Sequence, residues 1–327
     1  MKKIFLKLLV SCFLASLLTH TSFAQSQAWP AQTIRIVVPY PAGGVTDIVA
    51  RLLAKSLGDS LNTTVVVENL AGANGAIGAM AVVRSAPNGY TLLMGTPATL
   101  ATNMILYPGT QYDAIKDLEP IARIVSMPNA LVVRNDLGVD NVQDLIDRLK
   151  KNPGKMSYGV TGIGANGHLT TAYFLHQTQT DAMPVPYKGA APLLAGLIGG
   201  QTDFTIDQLT SSVSFIKSGR IKLLAVSSAT RSPYFPDTPT LDESGIKDFD
   251  MGSWLALSAP KNTPKEIIKH LNTAINQVLK EPVFKENLSQ FAATPTGGTP
   301  EELARLMQTE SETVKFIAHS AKITVEQ

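Results

Sequence analysis

A β-branched run, Ile34 to Val38, stops at Pro39, which has no N–H for the next ladder bond. The loop Tyr40-Pro41-Ala42-Gly43-Gly44 follows, then apolar residues at helical spacing: Val45, Ile48, Val49, Leu52, Leu53 and Leu57. This order of strand, small-residue loop and helix recurs along the chain. Thr63 to Val67 runs into Glu68-Asn69-Leu70-Ala71-Gly72-Ala73-Asn74-Gly75 and a helix of about Ala76 to Ser85. Tyr90 to Met94 ends in Gly95-Thr96-Pro97-Ala98-Thr99. Strands alternating with helices require a parallel sheet with crossover helices, and ligands then sit outside the carboxyl ends of the strands.

The alternation continues after a change of pattern. Asp117 to Val125 and Ala130 to Arg134 read as two strands, with a domain crossing near Ser126-Met127-Pro128. Asn141 can cap a helix over Val142 to Lys151. Met156 to Thr161 is the next strand, and a helix starts near His168. Met183 to Tyr187, Phe204 to Ile206 and Ile221 to Val226 complete a second array, with a helix over Leu193 to Ile198. Ser253 to Ser258, after the acidic loop Asp242 to Asp250, reads as the return crossing. The remainder reads as helices that cover the first sheet, opened by Thr263-Pro264-Lys265-Glu266 and Thr299-Pro300-Glu301-Glu302 as capping boxes. The fold expected is α/β with two lobes, residues 25–126 with 252–327 and residues 127–251, after a signal segment of residues 1–24.

That segment has Lys2 and Lys3 before an apolar run from Ile4 to Leu18, then Ser22 and Ala24 at a cleavage-like site. At about 15 residues the run is short for a membrane span, which needs about 20. Its removal takes Cys12, the only cysteine, and three of the 28 basic residues against 26 acidic ones. An exported chain without cysteine holds together by burial, and roughly 300 remaining residues suffice for that. A near-neutral balance makes no electrostatic case for a nucleic acid or membrane partner.

Signals for catalysis are sparse. His168, His176, His270 and His319 form no His-Glu-x-x-His pattern, and there is no Gly-x-Ser-x-Gly elbow. Gly162-Ile163-Gly164-Ala165-Asn166-Gly167 matches Gly-x-Gly-x-x-Gly between a strand and a helix. The acid a dinucleotide site needs is missing: Asp181 comes before the next strand and Lys188 follows it. Both loops therefore suit a small anion at a helix N-terminus, where unpaired N–H groups carry partial positive charge. Asp47 and Arg51, four apart, read as a helix ion pair. His168 is either a cleft residue or a solvated polar side chain. Asp207 ends a strand facing the cleft, a position from which it can bind a ligand amine or hydroxyl.

Pro39-Tyr40-Pro41-Ala42-Gly43-Gly44-Val45-Thr46-Asp47, Val67-Glu68-Asn69, Ala86-Pro87-Asn88-Gly89-Tyr90, Val185-Pro186-Tyr187-Lys188-Gly189, Gly199-Gly200-Gln201-Thr202-Asp203 and Gly297-Gly298-Thr299-Pro300-Glu301-Glu302 occur in this order. In these motifs the chain resembles the Bug family, periplasmic receptors of tripartite tricarboxylate transporters. The resemblance implies a two-lobed, Venus-flytrap binding protein, each lobe a mainly parallel sheet flanked by helices. It implies a monomer without cofactor or metal, no enzymatic activity, and membrane transporter subunits as partners. Family ligands are small carboxylates, including di- and tricarboxylates, aromatic acids and acidic amino acids. Carried over by motif, first-lobe contacts fall on Tyr40, Ala42, Gly43, Gly44 and Thr46, with Thr96 nearby. Second-lobe contacts fall on Thr161, Gly164, Ala165, Asn166 and His168, with Lys188, Gly189, Ala190 and Asp207. The family's Ser and Thr before its histidine are replaced here by Ala165, Asn166 and Gly167. Two rival expectations share this cleft: a ligand sensor for a signalling partner, and an exported enzyme using Asp207, His168 or Lys188 as acid or base.

Overall fold

Side-chain alternation along the strands buries both faces of each sheet. The computed structural model describes residues 29–289, 291–320 and 323, so the signal segment expected over residues 1–24 lies outside the described residues. In β1 (Ile34–Val38), Ile34, Ile36 and Val38 enter one apolar core and Val37 the opposite one. In β3 (Thr91–Gly95), Leu92 and Met94 share the first core while Leu93 shares the second. Period-two side-chain direction makes this division automatic. β1 lies between β2 (Val65–Asn69) and β3, parallel to both. The helices α1 (Val45–Leu61) and α2 (Ala76–Val83) provide the crossovers.

The first sheet meets the second through one strand. β4 (Leu118–Arg134) is continuous, where two strands were expected. Pro128 does not break it because the strand changes partners there. Before it β4 pairs antiparallel with β9 (Gly252–Pro260), down to Pro128 opposite Gly252. After it β4 pairs with β7 (Phe204–Gln208) and β8 (Ile221–Val226). β5 (Ser157–Val160) lies parallel between β7 and β6 (Met183–Pro186). Strands β1 to β3 thus run one way in one sheet, and β5 to β8 one way in the other. The return passes through Met251, whose N–H donates to the Ser227 carbonyl (2.9 Å).

Helices cover the second sheet: α3 (Val142–Lys151), α4 (Asn166–Thr178), α5 (Ala190–Ile198) and α6 (Leu209–Lys217). The Asn141 side chain caps α3, accepting from the Asp144 N–H (2.9 Å). α7 (Lys265–Val278) buries Ile268, Leu271, Ala274, Ile275 and Val278 against the first sheet. α8 (Pro282–Ser289) adds Phe284 and Leu288. The Thr263 box is not formed, because the Thr263 hydroxyl donates back to the Pro260 carbonyl (2.7 Å) and Pro264 becomes the cap. An unexpected short strand, β10 (Thr294–Gly297), pairs antiparallel with β4.

The last helix, α9 (Pro300–Ser320), departs from the expectation that it covers the first sheet alone. Its Thr299–Glu302 capping box is formed: the Glu302 N–H donates to Thr299 Oγ1 (3.2 Å) and the Thr299 N–H to Glu302 Oε2 (2.8 Å). Leu303 and Met307 pack with the first sheet, and Val314 and Ile317 with the core of the second. At its middle, Glu310 carries its carboxyl inward to accept from Trp254 Nε1 (2.5 Å) on β9. Burial pushes that carboxyl up to about 7, against the Trp254 hydrogen bond and the nearby charge of Arg123.

A carboxyl raised on folding stabilises below its unfolded pKa, and that contribution disappears as pH rises through the folded value. Stability carried by Glu310 is therefore full below about pH 4.5 and lost on passing pH 7. Glu310→Gln keeps an acceptor for Trp254 without the charge. Its stability should exceed the parent's at pH 8 by about 1–3 kcal/mol, seen as a higher melting temperature, and match it near pH 4. Thermal unfolding of both at the two pH values checks this; an equal difference at both would remove Glu310 as the titrating group.

Candidate functional site

The carboxyl ends of β1, β3, β5 and β7 open on one cavity of about 470 Å³ between the two sheets. Four helices begin on its wall, with N-cap residues Gly44 (α1), Ala165 (α4), Gly189 (α5) and Gln208 (α6). None of the four provides a side-chain cap. Away from the cavity, Asn141 and Thr299 do cap their helices. First-turn N–H groups at the wall are thus left to whatever enters. Among the described residues no Lys, Arg or His lines the cavity, and Tyr40 and Asp207 are its titratable side chains.

The two cleft loops are held by the same device. In the first, Gly43 adopts φ 87°, and its N–H donates to Asp47 Oδ2 (2.9 Å). In the second, Gly164 adopts φ 76°, and its N–H donates to His168 Nδ1 (3.0 Å). Each glycine lies two residues before the helix, and each acceptor is the helix's third residue. The positive φ favours glycine at both places.

Asp47 is 3% exposed. It also accepts from Asn69 Nδ2 (3.0 Å) and pairs with Arg51 (2.9 Å). The same Asn69 amide donates to the Tyr40 carbonyl (3.0 Å). Burial alone would raise the Asp47 carboxyl, but hydrogen bonds from Arg51, the Gly43 amide and Asn69 hold it below the usual range. The helix ion pair read from spacing is therefore real and also clamps the loop. Tyr40 shares a hydrogen bond with Thr96 across the wall (2.9 Å), and burial raises its phenol.

His168 is 5% exposed and stacks on Tyr158, with ring centroids 6.2 Å apart. It lines a different cavity, behind α4. Burial lowers its pKa, which suits a neutral ring accepting through Nδ1. It is neither a cleft residue nor a solvated one. Its role is to hold the Gly164 turn from behind. The Asn166 side chain is likewise engaged: Oδ1 accepts from Asn129 Nδ2 (2.7 Å), and Nδ2 donates to the Gly252 carbonyl (3.2 Å).

Of the residues singled out in the sequence, Tyr40, Gly44, Thr46, Thr96, Thr161, Gly164, Ala165, Asn166, Gly189, Ala190 and Asp207 line the cavity together. Ala42, Gly43 and Lys188 are exposed. Those three and His168 lie outside the lining. The sequence reading missed Asn74, Thr102 and Ser211, and also Met127, Ser253 and Leu255 from the crossing strands. Crossing strands read as structural, so only their position between the lobes reveals these residues.

Asp47→Ala should raise amide exchange over residues 40–47 at least about tenfold, the effect of losing about 1.4 kcal/mol of local hydrogen bonding. His168→Ala should do the same over residues 161–168. Each variant should leave the other lobe's loop unchanged. Exchange rising equally in both loops would show general loosening instead of two separate clamps.

The comparisons with known proteins agree with this architecture. A model of the tripartite tricarboxylate transporter family receptor matches residues 49–322. The chain is 37% identical to the protein BugT of Bordetella pertussis over 278 residues, 85% of each chain. A Rhodopseudomonas palustris protein solved with adipate superposes with a TM-score of 0.75 at 36% identity, covering 90% of this chain and 99% of that one. MatC from the same organism, solved with bound malate, gives 0.71 at 29% identity, covering 88% and 99%. A solute-binding protein from Polaromonas gives 0.81 at 29% identity, covering 89% and 99%. Such neighbours have the two-lobed fold of periplasmic binding proteins, and the chain belongs to the tripartite tricarboxylate transporter receptor family.

Proposed function

We propose that this protein is a periplasmic receptor that captures a small organic acid between its two lobes and passes it to membrane transporter subunits. We take the lobes as residues 25–126 with 252–327, and residues 127–251, with Val314 and Ile317 of α9 crossing into the core of the second. The observation that carries the reading is the convergence of four helix N-termini without side-chain caps on one cavity without a cationic side chain. Relatives solved with adipate and malate support the ligand class. No helix among the described residues is long and apolar enough to cross a membrane.

One carboxylate meets the first turn of α1, beside Tyr40, Thr46 and Thr96. The other meets the first turns of α4 and α5, beside Thr161 and Ala190. An anion at a helix N-terminus gains roughly 0.3–1 kcal/mol when exposed and up to ~2 when partly buried. A ligand draws the lobes together only by binding the closed arrangement better than the open one. An acid engaging both ends does so, and one engaging a single end does not.

A panel of acids in a thermal-shift assay tests this. Dicarboxylates of four to six carbons should raise the melting temperature, and acetate at equal concentration should not. Acetate matching every dicarboxylate would overturn the two-ended reading. Gly44→Phe makes the test specific to the cavity. Gly44 has φ −78° with open space about its Cβ position, where only the Pro41 carbonyl comes within 4 Å. The variant should change ligand-free stability by less than about 1 kcal/mol and weaken acid binding at least about tenfold. The acid should be recovered unchanged after incubation; appearance of a product would favour an enzyme.

A further inference from the structure

A second cavity, of about 460 Å³, lies behind α4 and shares no lining residue with the cleft. Its walls include the buried side chains of Tyr158 on β5, Ala172 and Leu175 on α4, and Ile317 on α9. One polar side chain is buried among them: His168, 5% exposed. Its Nδ1 accepts the Gly164 N–H (3.0 Å), so the neutral ring carries its proton on Nε2. Nε2 has no hydrogen-bond partner among the described residues. Nor is it one of their fully enclosed polar atoms left without a partner. What reaches it comes through the opening that His168 lines.

The chemistry of the walls narrows what fits. Apolar side chains around one N–H donor suit a mainly apolar molecule with one acceptor. The Tyr158 and His168 rings, with centroids 6.2 Å apart, offer aromatic surface for a ring to pack on. Asp181, exposed on the wall, disfavours an anion. We propose that this cavity is a second binding site, for a small uncharged aromatic molecule with one oxygen acceptor, whose occupant stiffens the second cleft loop through His168. The occupant's oxygen accepts the Nε2–H. That fixes the proton on Nε2, keeps Nδ1 an acceptor for Gly164 and makes Nδ1 more basic. A ring protonated at both nitrogens could not hold the glycine amide. The site stands whichever acid the cleft takes.

Methyl NMR of the protein titrated with benzamide tests the site. Benzamide at roughly millimolar concentration should shift the methyls of Leu175 and Ile317. Those of Val45 and Leu255, which line the cleft, should not move. Toluene has the ring without the acceptor and should bind at least about fivefold more weakly. Bound benzamide should slow amide exchange over residues 161–168 at least about threefold and leave residues 40–47 unaffected. Ala172→Trp fills the cavity and should abolish the shifts. His168→Phe keeps a ring without the N–H and should erase the difference between benzamide and toluene. The comparison of the two molecules on the parent stands by itself if neither variant folds. No shift at about 10 mM benzamide, shifts confined to the cleft methyls, or toluene binding as well as benzamide overturns the site. Shifts at Leu175 and Ile317 without slower exchange over residues 161–168 overturn the link to the loop.

Discussion

A glycine amide donating to the third residue of the helix it introduces holds each of the two cleft loops. Asp47 receives the Gly43 N–H and His168 the Gly164 N–H. The bond is ordinary in strength, about 1 kcal/mol net, but its placement determines what the cleft can do. It ties down the outer amide of the loop and leaves the cap and first-turn amides facing the cavity. A side-chain cap at Gly44 or Ala165 would have closed that opening. The two lobes solve one geometric problem with chemically different acceptors, a carboxylate and a neutral imidazole. No sequence repeat records the equivalence.

The two loops follow strands of different sheets, β1 and β5, and the sheets are joined by the crossing strands. β4 runs through both sheets, and its change of partners at Pro128 marks the crossing. Around that point Asn129, Asn166, Ser227, Met251 and Gly252 are linked by hydrogen bonds. Asn166 thus joins the second loop to the crossing rather than offering its side chain to a ligand. α9 bridges the same boundary, with Leu303 and Met307 in one lobe's core and Val314 and Ile317 in the other's. Glu310, between them, reaches Trp254 on β9. Relative movement of the lobes has to pass through these contacts.

Most of the fold was legible in the sequence because both faces of each sheet are apolar and each strand ends in small residues. Ile34 to Val38, Val142 to Lys151 and Ile221 to Val226 coincide with their elements. Legibility failed where pairing outweighs local signals. Pro128 reads as an end but sits where a ladder changes hands, and β10 is too short and too proline-bearing to announce itself. Thr263 has the letters of a capping box, yet its hydroxyl found a nearer acceptor in Pro260. Within the site, motif position identified the loops but not the direction of their side chains. Lys188 is exposed outside the lining and His168 lines the cavity behind α4, and no spacing rule distinguishes those placements from an inward one.

The central claim is that helix N-termini from both lobes grip one acid and so bring the lobes together. Small-angle X-ray scattering of the protein, with and without a saturating dicarboxylate, measures this directly. The account requires the radius of gyration to fall when the acid is added and to stay unchanged with acetate. A dicarboxylate shown by calorimetry to be bound, with no change in the scattering curve, would contradict it.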